Sequence, residues 1–570
     1  MKSTQRYQRF YPAGVALVAL LAGVLVFKVA VDMRAVQKDA SQTTQQSNAV
    51  APAKVVTAKV TEADLLPGLI GAEMLKVAPE EAVARLYAQF NNAPLWMNAA
   101  DGARRQKDLA QVLAMAVAQG IESQRLGNLL LAASERDIAP ETAARADIDL
   151  TREALRLVSA LRLGAVAREK LGESWIMPVE TYDPVAGVAD ALKSKGGLRE
   201  YIATLAPSDP QYKYLVGALQ TYRDIVEQGG WAQISGDEEM LLDMTDPRTP
   251  QLQARLVAEG YLHGDTPADT VLLTEAIKQF QQRNGLEPDG RVGKGTLAAL
   301  NVPADVRTAQ IAANLERWRH TPRDRGESFI AVNTAATFLD VMVKGKSTLH
   351  LNVVSGDKRH ATPIITAKIT AVTFNPRWEI PPSIATKEIL PKLQKNPNYL
   401  AENNIVVVGA TDDPHGQNID WSQYSARTLG MRFRQLAGDD NSLGLMKFQM
   451  SNPQNIYLHD TPSRGAFVKY ERHLSHGCVR VDQPTTLAEH VLLQTPGWSE
   501  ARLKEEIAKG VTRSIAVAQP LPVYISYWTA FSEDGAVNFR NDVYDRDAPL
   551  AEALAFAPRR LPAKQSVTPN

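Results

Sequence analysis

One cysteine, Cys478, stands in 570 residues, so no intrachain disulfide can form and a fold stapled by bridges is excluded. The lone thiol has no wrong partner within its own chain, which suits an oxidising compartment. Net charge is lacking too: 63 Lys and Arg balance 63 Asp and Glu, leaving neither a nucleic-acid footprint nor an acidic tail. Histidines number nine and aromatic residues 6%, while a hydrophobic content of 45% is ordinary for folded soluble domains. The chain is too long for one core, and a prior of about three to four domains is reasonable.

What is present begins with Tyr11 to Phe27, seventeen residues without a charge, preceded by Lys2, Arg6 and Arg9. This run exceeds a signal-peptide core, and Lys28 can snorkel so that the span extends to Val31. We expect a transmembrane signal anchor over 11–31 with residues 1–10 cytoplasmic; a cleaved signal peptide is the alternative. Residues 32–64 lack apolar periodicity and are expected to form a flexible linker. Helical spacing then sets in (Ala82, Leu86, Phe90; Leu109, Val112, Leu113, Ala116), with Trp96 and Trp175 near breaks, and predicts a helical scaffold domain over 65–245.

Within 246–303, Leu252-Gln253, Phe280-Gln281, Gly285-Leu286, Asp289-Gly290, Val292-Gly293 and Thr296-Leu297 resemble the pattern of a small three-helix peptidoglycan-binding module. Gly285 suits a helix C-cap and Asp289-Gly290 a turn. Arg307 to Arg319 reads as an amphipathic helix with Ile311, Leu315 and Trp318 on one face, at the start of a domain expected over 304–547. There the period changes to two, and strands are predicted at Ser328 to Val343, Leu349 to Val354, Ile364 to Phe374, Asn404 to Val408 and Val523 to Val543, the last with a hairpin turn at Glu533-Asp534-Gly535. An insertion at about 381–436, with helical pieces at Ser383 to Leu393 and Tyr424 to Gln435, is expected to act as a lid. The Ala- and Pro-rich tail, 548–570, is expected to be peripheral.

Three of the nine histidines, His459, His473 and His476, fall within twenty positions upstream of Cys478. A thiol attacks as its thiolate, and a nearby imidazole is the usual means of making one near neutral pH. Leu458-His459-Asp460-Thr461-Pro462 followed by Ser475-His476-Gly477-Cys478-Val479-Arg480 resembles the L,D-transpeptidase (YkuD-type) signature. Asn375-Pro376-Arg377-Trp378, Pro381-Pro382, Asn441-Ser442-Leu443-Gly444 and Tyr524 to Asp547 extend the likeness. With the scaffold and the module, the chain resembles the large periplasmic, carbapenem-sensitive L,D-transpeptidases of Gram-negative bacteria. That likeness implies a multidomain α+β protein: membrane anchor, helical scaffold, three-helix module and mainly-β catalytic domain with a helical lid.

The resemblance assigns Cys478 as nucleophile and His459 as general base. It suggests a neighbouring backbone carbonyl to orient the second ring nitrogen of His459, and the Asp460 carboxylate is the alternative. His476 is expected beside the thiol, and the N–H groups of Gly477 and Cys478 as an oxyanion hole. His473 is expected to be a bystander. Arg480, two residues beyond Cys478, can pair with a substrate carboxylate; Tyr457, Ser475 and Trp378 complete the expected substrate contacts, and Trp421 is a further groove candidate. No cofactor or metal is implied; a zinc site from Cys478, His459 and His476 lacks an evident fourth ligand.

The implied reaction attacks a tetrapeptide stem at its third residue, diaminopimelate, releases the terminal D-alanine and joins the acyl group to another diaminopimelate in a 3→3 cross-link. Water or a lipoprotein lysine as acceptor, or a non-catalytic wall-binding protein, are the alternatives. Implied partners are peptidoglycan stem peptides and the inner membrane, with other cell-wall synthases as a candidate class and no nucleic acid. The expected location is the periplasm.

Overall fold

A computed structural model of the chain describes residues 63–97, 101–133, 138–178, 180–242, 245–264 and 269–554. The expected anchor, nearly all of the expected linker, and positions 555–570 lie outside these residues. Among the described residues no helix is long and apolar enough to cross a membrane.

Helices from Leu66–Met74 to Gly197–Ala203 share one core around the long helix Pro140–Leu163. That helix opens with Pro140 in its first turn and stops at Gly164, whose φ of +102° suits glycine. From it the buried Asp147 carboxylate accepts the N–H groups of Leu95, Trp96 and Met97 at 2.9, 2.8 and 2.7 Å and the Tyr87 hydroxyl at 2.6 Å. The break at Trp96 is thus a loop whose backbone donors are satisfied by one side chain. Trp175 marks a different join: Ile176 N–H donates to the Ile364 carbonyl at 2.7 Å and Ile364 N–H to Ser174 at 2.8 Å, tying this segment to the β domain.

The module folds as three helices, Thr249–Ala258, Thr270–Arg283 and Lys294–Leu300, around Leu252, Ile277, Phe280 and Leu297. Its motif is structural at this level. Gly285 and Gly290 take φ of +68° and +76°, and buried Gln281 closes the turn by accepting Gly290 N–H at 2.9 Å and donating to Asp289 at 2.8 Å.

The helix Ala304–Arg319 departs from expectation. It is buried around its whole circumference, including Arg307, Asn314, Glu316, Arg317 and Arg319. Helix Pro210–Glu227 packs on one side of it and the segment 528–554 on another, so its charges have partners instead of solvent. Glu316 sits 2.8 Å from Arg319 and accepts Val166 N–H at 2.7 Å, while Arg317 lies 2.5 Å from Asp547. The tail also departs, because Asp547–Ala553 is a helix whose Leu550 is buried in the same core, with Leu554 just beyond it.

The β domain contains strands β1 (Ser328–Asn333), β2 (Phe338–Val343), β3 (Lys346–Gly356), β4 (Ile365–Phe374), β5 (Trp378–Glu379), β6 (Ile405–Val407), β7 (Phe433–Gln435), β8 (Met446–Met450), β9 (Leu458–His459), β10 (His473–Ser475), β11 (Val479–Val481), β12 (Arg513–Ser526), β13 (Ala530–Glu533) and β14 (Ala536–Phe539). The order β3-β11-β9-β8-β4-β12-β1-β2 returns to β3, so the sheet closes on itself, with β10 added beside β3. Closure leaves few free edges, and alternate residues such as Ile330, Val353, Phe448 and Val481 fill the inside. The β13–β14 hairpin turns at Asp534 and Gly535, both at positive φ as a type I′ turn requires.

The insertion has its own three-stranded sheet, β5-β7-β6, and its own core around Leu393, Leu400 and Phe433. The strand expected near 404–408 is therefore part of the insertion and not of the barrel. Tyr424 to Gln435 is not helical: Ser425 N–H donates to Thr428 Oγ1 at 2.9 Å, Gly430 takes a φ of +53°, and the chain then enters β7. Local hydroxyl bonding and glycine outcompete helix here. The piece from Pro382 to Leu393 is helical but opens into a π turn at Ala385–Ile389, ahead of Pro391, which has no N–H to continue the ladder.

Candidate active site

Strand register assembles the site. In the sheet, β11 runs parallel to β9 with Val479 opposite Leu458 and Arg480 opposite His459, and β8 runs antiparallel to β9 with Lys447 opposite His459. Opposed residues share a face and alternate residues along a strand return to it. Lys447, Tyr457, His459, Cys478 and Arg480 therefore lie on one face. Ring and charge contacts agree: Tyr457 and His459 are 5.6 Å apart edge to face, and Lys447 Nζ lies 4.0 Å above the Tyr457 ring.

His459 is buried, and its Nδ1 is 2.5 Å from the Asp460 backbone carbonyl. A carbonyl only accepts, so Nδ1 carries the proton and Nε2 keeps its lone pair. The carbonyl, not the carboxylate, orients the His459 ring. The Asp460 carboxylate is occupied elsewhere, accepting Leu445 N–H at 2.8 Å and Thr461 N–H at 2.6 Å and pairing with Arg464.

Burial, then Arg480 and Lys447, push the His459 pKa down to about 3, against the pull of the Asp460 carbonyl. Cys478 is half-buried, and desolvation raises its thiol above the ordinary range; the Tyr457 backbone and hydroxyl, Lys447 and Arg480 act in the opposite direction. The resting pair is thus neutral thiol and neutral imidazole. Tyr457, held protonated by burial and by Cys478, hydrogen-bonds the thiol and also receives a bond from Trp378. Trp378 stands on β5, where the insertion meets the barrel.

The Ser475–Cys478 turn is built around Gly477, at a φ of +109°. The Ser475 hydroxyl donates to the Cys478 carbonyl at 2.6 Å and accepts Gly477 N–H at 3.1 Å. Two expectations are corrected by this: Ser475 is committed to shaping the turn and not to substrate, and the Gly477 N–H is already engaged and not free for an oxyanion. Thr362, missed in the sequence, holds the turn from behind by donating to the Gly477 carbonyl at 2.9 Å. His476 is turned towards the insertion, 2.6 Å from Glu388 in the π turn and with its ring 4.7 Å from that of His360. His473 is bound to Glu471 and to the Thr334 carbonyl. Trp421 is buried in the insertion core. Among the described residues no three His, Cys, Asp or Glu side chains are grouped to hold a metal ion.

Lys447 is the main residue that sequence reasoning missed. It and Arg480 are half-buried beside the thiol, with burial lowering the pKa of each, and neither makes an ion pair among the described residues. Two unspent cations beside a nucleophile can take an anionic group.

The site thus brings together a buried imidazole with a fixed tautomer, a thiol at the start of the adjoining strand and two flanking cations. The comparisons specify the class. Residues 327–498 match the model of the YkuD L,D-transpeptidase catalytic domain, residues 81–219 that of the scaffold domain, and residues 245–300 that described as "Putative peptidoglycan binding domain". A curated Haemophilus influenzae protein named "Putative L,D-transpeptidase" is 36% identical over 250 residues, 43% of this chain and 50% of that protein. The chain thus spans about half the length of that relative. Solved structures of L,D-transpeptidases from Mycobacterium smegmatis (12% identity, 35% of this chain and 58% of that one, TM-score 0.16) and Xylanimonas cellulosilytica (16%, 52% and 98%, 0.18) are also matched. The chain carries the catalytic domain of the YkuD L,D-transpeptidases, joined to a scaffold domain and a peptidoglycan-binding domain.

Proposed function

We propose that the protein is an L,D-transpeptidase forming 3→3 cross-links between peptidoglycan stems through a thioester on Cys478. The observation that carries this reading is the His459 tautomer, with Nδ1–H held by the Asp460 carbonyl and Nε2 left as acceptor on the face of Cys478. In the first half-reaction Nε2 takes the thiol proton as sulfur attacks the carbonyl of the donor's third residue; the C–N bond breaks, and the proton leaves with the D-alanine amine. In the second, the acceptor amine attacks the thioester, gives its proton to Nε2, and thiol is restored. The protonated Tyr457 hydroxyl, which bonds the thiol at rest, would turn to the oxyanion as sulfur attacks. Lys447 and Arg480 would receive the donor's free carboxylate.

The bond energy of the released D-alanine is kept in the thioester, so no nucleotide is consumed. A periplasmic location with an uncleaved N-terminal anchor fits that economy and the apolar run at 11–31. The test is incubation with purified disaccharide-tetrapeptide and mass analysis of the products. A cross-linked dimer lacking one alanine is expected; tripeptide monomer as the sole product would instead assign hydrolysis, and no product at all would remove the enzymatic reading.

A further inference from the structure

The insertion meets the catalytic face at two places. At its base Trp378 on β5 donates to the Tyr457 hydroxyl, and at its π turn Glu388 Oε1 lies 2.6 Å from His476 Nε2. The strand order β10-β3-β11-β9 puts the start of β11, where Cys478 stands, between these contacts. His476 is two residues from Cys478, at most roughly 7 Å of extended chain. The second contact is therefore one wall of the cleft that opens on the thiol.

The two sides of the cleft differ in charge. Lys447 lies beyond β9, on β8, and Arg480 lies two residues beyond Cys478, whereas His476 and Glu388 stand before it. Of the carboxylates that the insertion brings to this face, Glu379 acts on Lys447 but is spent on Arg432 and Arg434. Glu388 is not spent in that way. Among the described residues its one ion-pair partner is His476, which occupies Oε1, and its side chain is 39% exposed, so Oε2 is open to a ligand. A π turn is rare within a helix and recurs at functional sites, and this one interrupts the regular ladder where Glu388 faces the Ser475–Cys478 turn.

An anionic wall beside a thioester has a specific use. Water surrounds any acyl-enzyme, so an amine prevails over it only when held against the acyl carbon. An amine of the lysine type is an ammonium at neutral pH, and a carboxylate with an open oxygen holds it by a charge-assisted hydrogen bond. We propose that Glu388 is the acceptor subsite: it binds the ammonium of the incoming stem and so directs the thioester to an amine instead of to water. The inference deepens the cross-linking reading given above and rests on it. Before attack the ammonium gives one proton to solvent, to which this wall is open. The amine then forms its C–N bond as the C–S bond breaks, and its second proton goes to Nε2 of His459 and from there to sulfur. Donor carboxylate and acceptor ammonium are received on opposite sides, with Cys478 between them.

The test uses the full chain acylated by the tetrapeptide donor and offered two acceptors: a stem tripeptide, which ends in diaminopimelate and has no D-alanine to release, and hydroxylamine, which is uncharged at neutral pH. Mass analysis gives the shares of cross-linked, hydroxamate and hydrolysed product, and because these are set after the thioester forms, slower acylation does not enter them. Glu388→Gln, which keeps an oxygen for His476, should lower the ratio of tripeptide transfer to hydrolysis by about tenfold or more and that of hydroxylamine transfer by less than about threefold. Glu388→Asp, which keeps the charge, should lie closer to wild type. Both ratios unchanged, or both lowered alike as mere docking of the insertion would give, overturns the proposal. A wild-type thioester that passes to water alone overturns it too while leaving the thioester chemistry, and absence of any thioester removes the reading beneath it together with the proposal.

Discussion

Acidification separates the buried neutral His459 from an ordinary histidine. Its pKa is about 3 in the folded chain against 6.5 unfolded, so between these values the unfolded state binds the extra proton and stability falls as pH drops. Integrating that difference from pH 7 to pH 4.5 gives a loss of about 2.5 kcal/mol assignable to this side chain. The perturbation is His459→Gln, whose amide can still donate to the Asp460 carbonyl but does not titrate. Urea midpoints at pH 7, 5.5 and 4.5 for both proteins give the difference, in which carboxylates common to the two cancel. Wild type should lose about 2.5 kcal/mol more than the variant, and curves parallel to within about 0.5 kcal/mol would refute the assignment. Activity supplies a second readout from the same group. Because Nε2 stays unprotonated well below 6.5, kcat/KM should show no acidic limb near that value, and His459→Gln should lower it by roughly 10²- to 10⁴-fold at neutral pH.

Cys478→Ala should abolish both thioester formation and release of D-alanine without changing the melting temperature, and only wild type should gain the mass of a carbapenem; turnover by the alanine variant would disprove the nucleophile. Lys447→Met and Arg480→Gln should each lower kcat/KM by roughly tenfold or more, the loss of a charge-assisted hydrogen bond, with most of the effect disappearing for a donor whose free carboxylate is amidated. An equal loss for both donors would make these cations structural. Glu316→Gln leaves Arg319 buried without its carboxylate and should destabilise by about 3–5 kcal/mol in urea; a cost below about 1 kcal/mol would show that the Val166 N–H bond alone holds this corner.

The parts of the site that could be read in the sequence are those whose geometry is local. The glycine required at 477 and the turns at Gly285 and Gly290 depend on residues a few positions apart, and His459 and Cys478, nineteen positions apart, were legible through their motif. Lys447 was hidden because it joins the site through the pairing of β8 with β9, and sequence alternation alone does not say which strands pair. The helix Ala304–Arg319 misled for a related reason. Arg307, Glu316, Arg317 and Arg319 read as a solvated face, yet their partners Asn284, Val166 and Asp547 come from three distant segments. The insertion misled locally: hydroxyl bonds at Ser425 and a positive φ at Gly430 overrode the helical spacing of Tyr424 to Gln435.

The choice between the Asp460 carbonyl and carboxylate as the group that orients His459 has a physical consequence that reaches the reaction. A carboxylate on Nδ1 would favour an imidazolium and raise the His459 pKa, giving a resting thiolate–imidazolium pair stabilised by Lys447 and Arg480. The carbonyl does much less, and the carboxylate is diverted to Leu445, Thr461 and Arg464, where it fixes the backbone that presents the carbonyl. With thiol and imidazole both neutral, the two cations have no standing anion to neutralise. They are therefore free for an arriving carboxylate, and their attraction for the thiolate comes into play only as the proton moves to Nε2. In the proposed reaction, substrate recognition and nucleophile activation would draw on the same two charges.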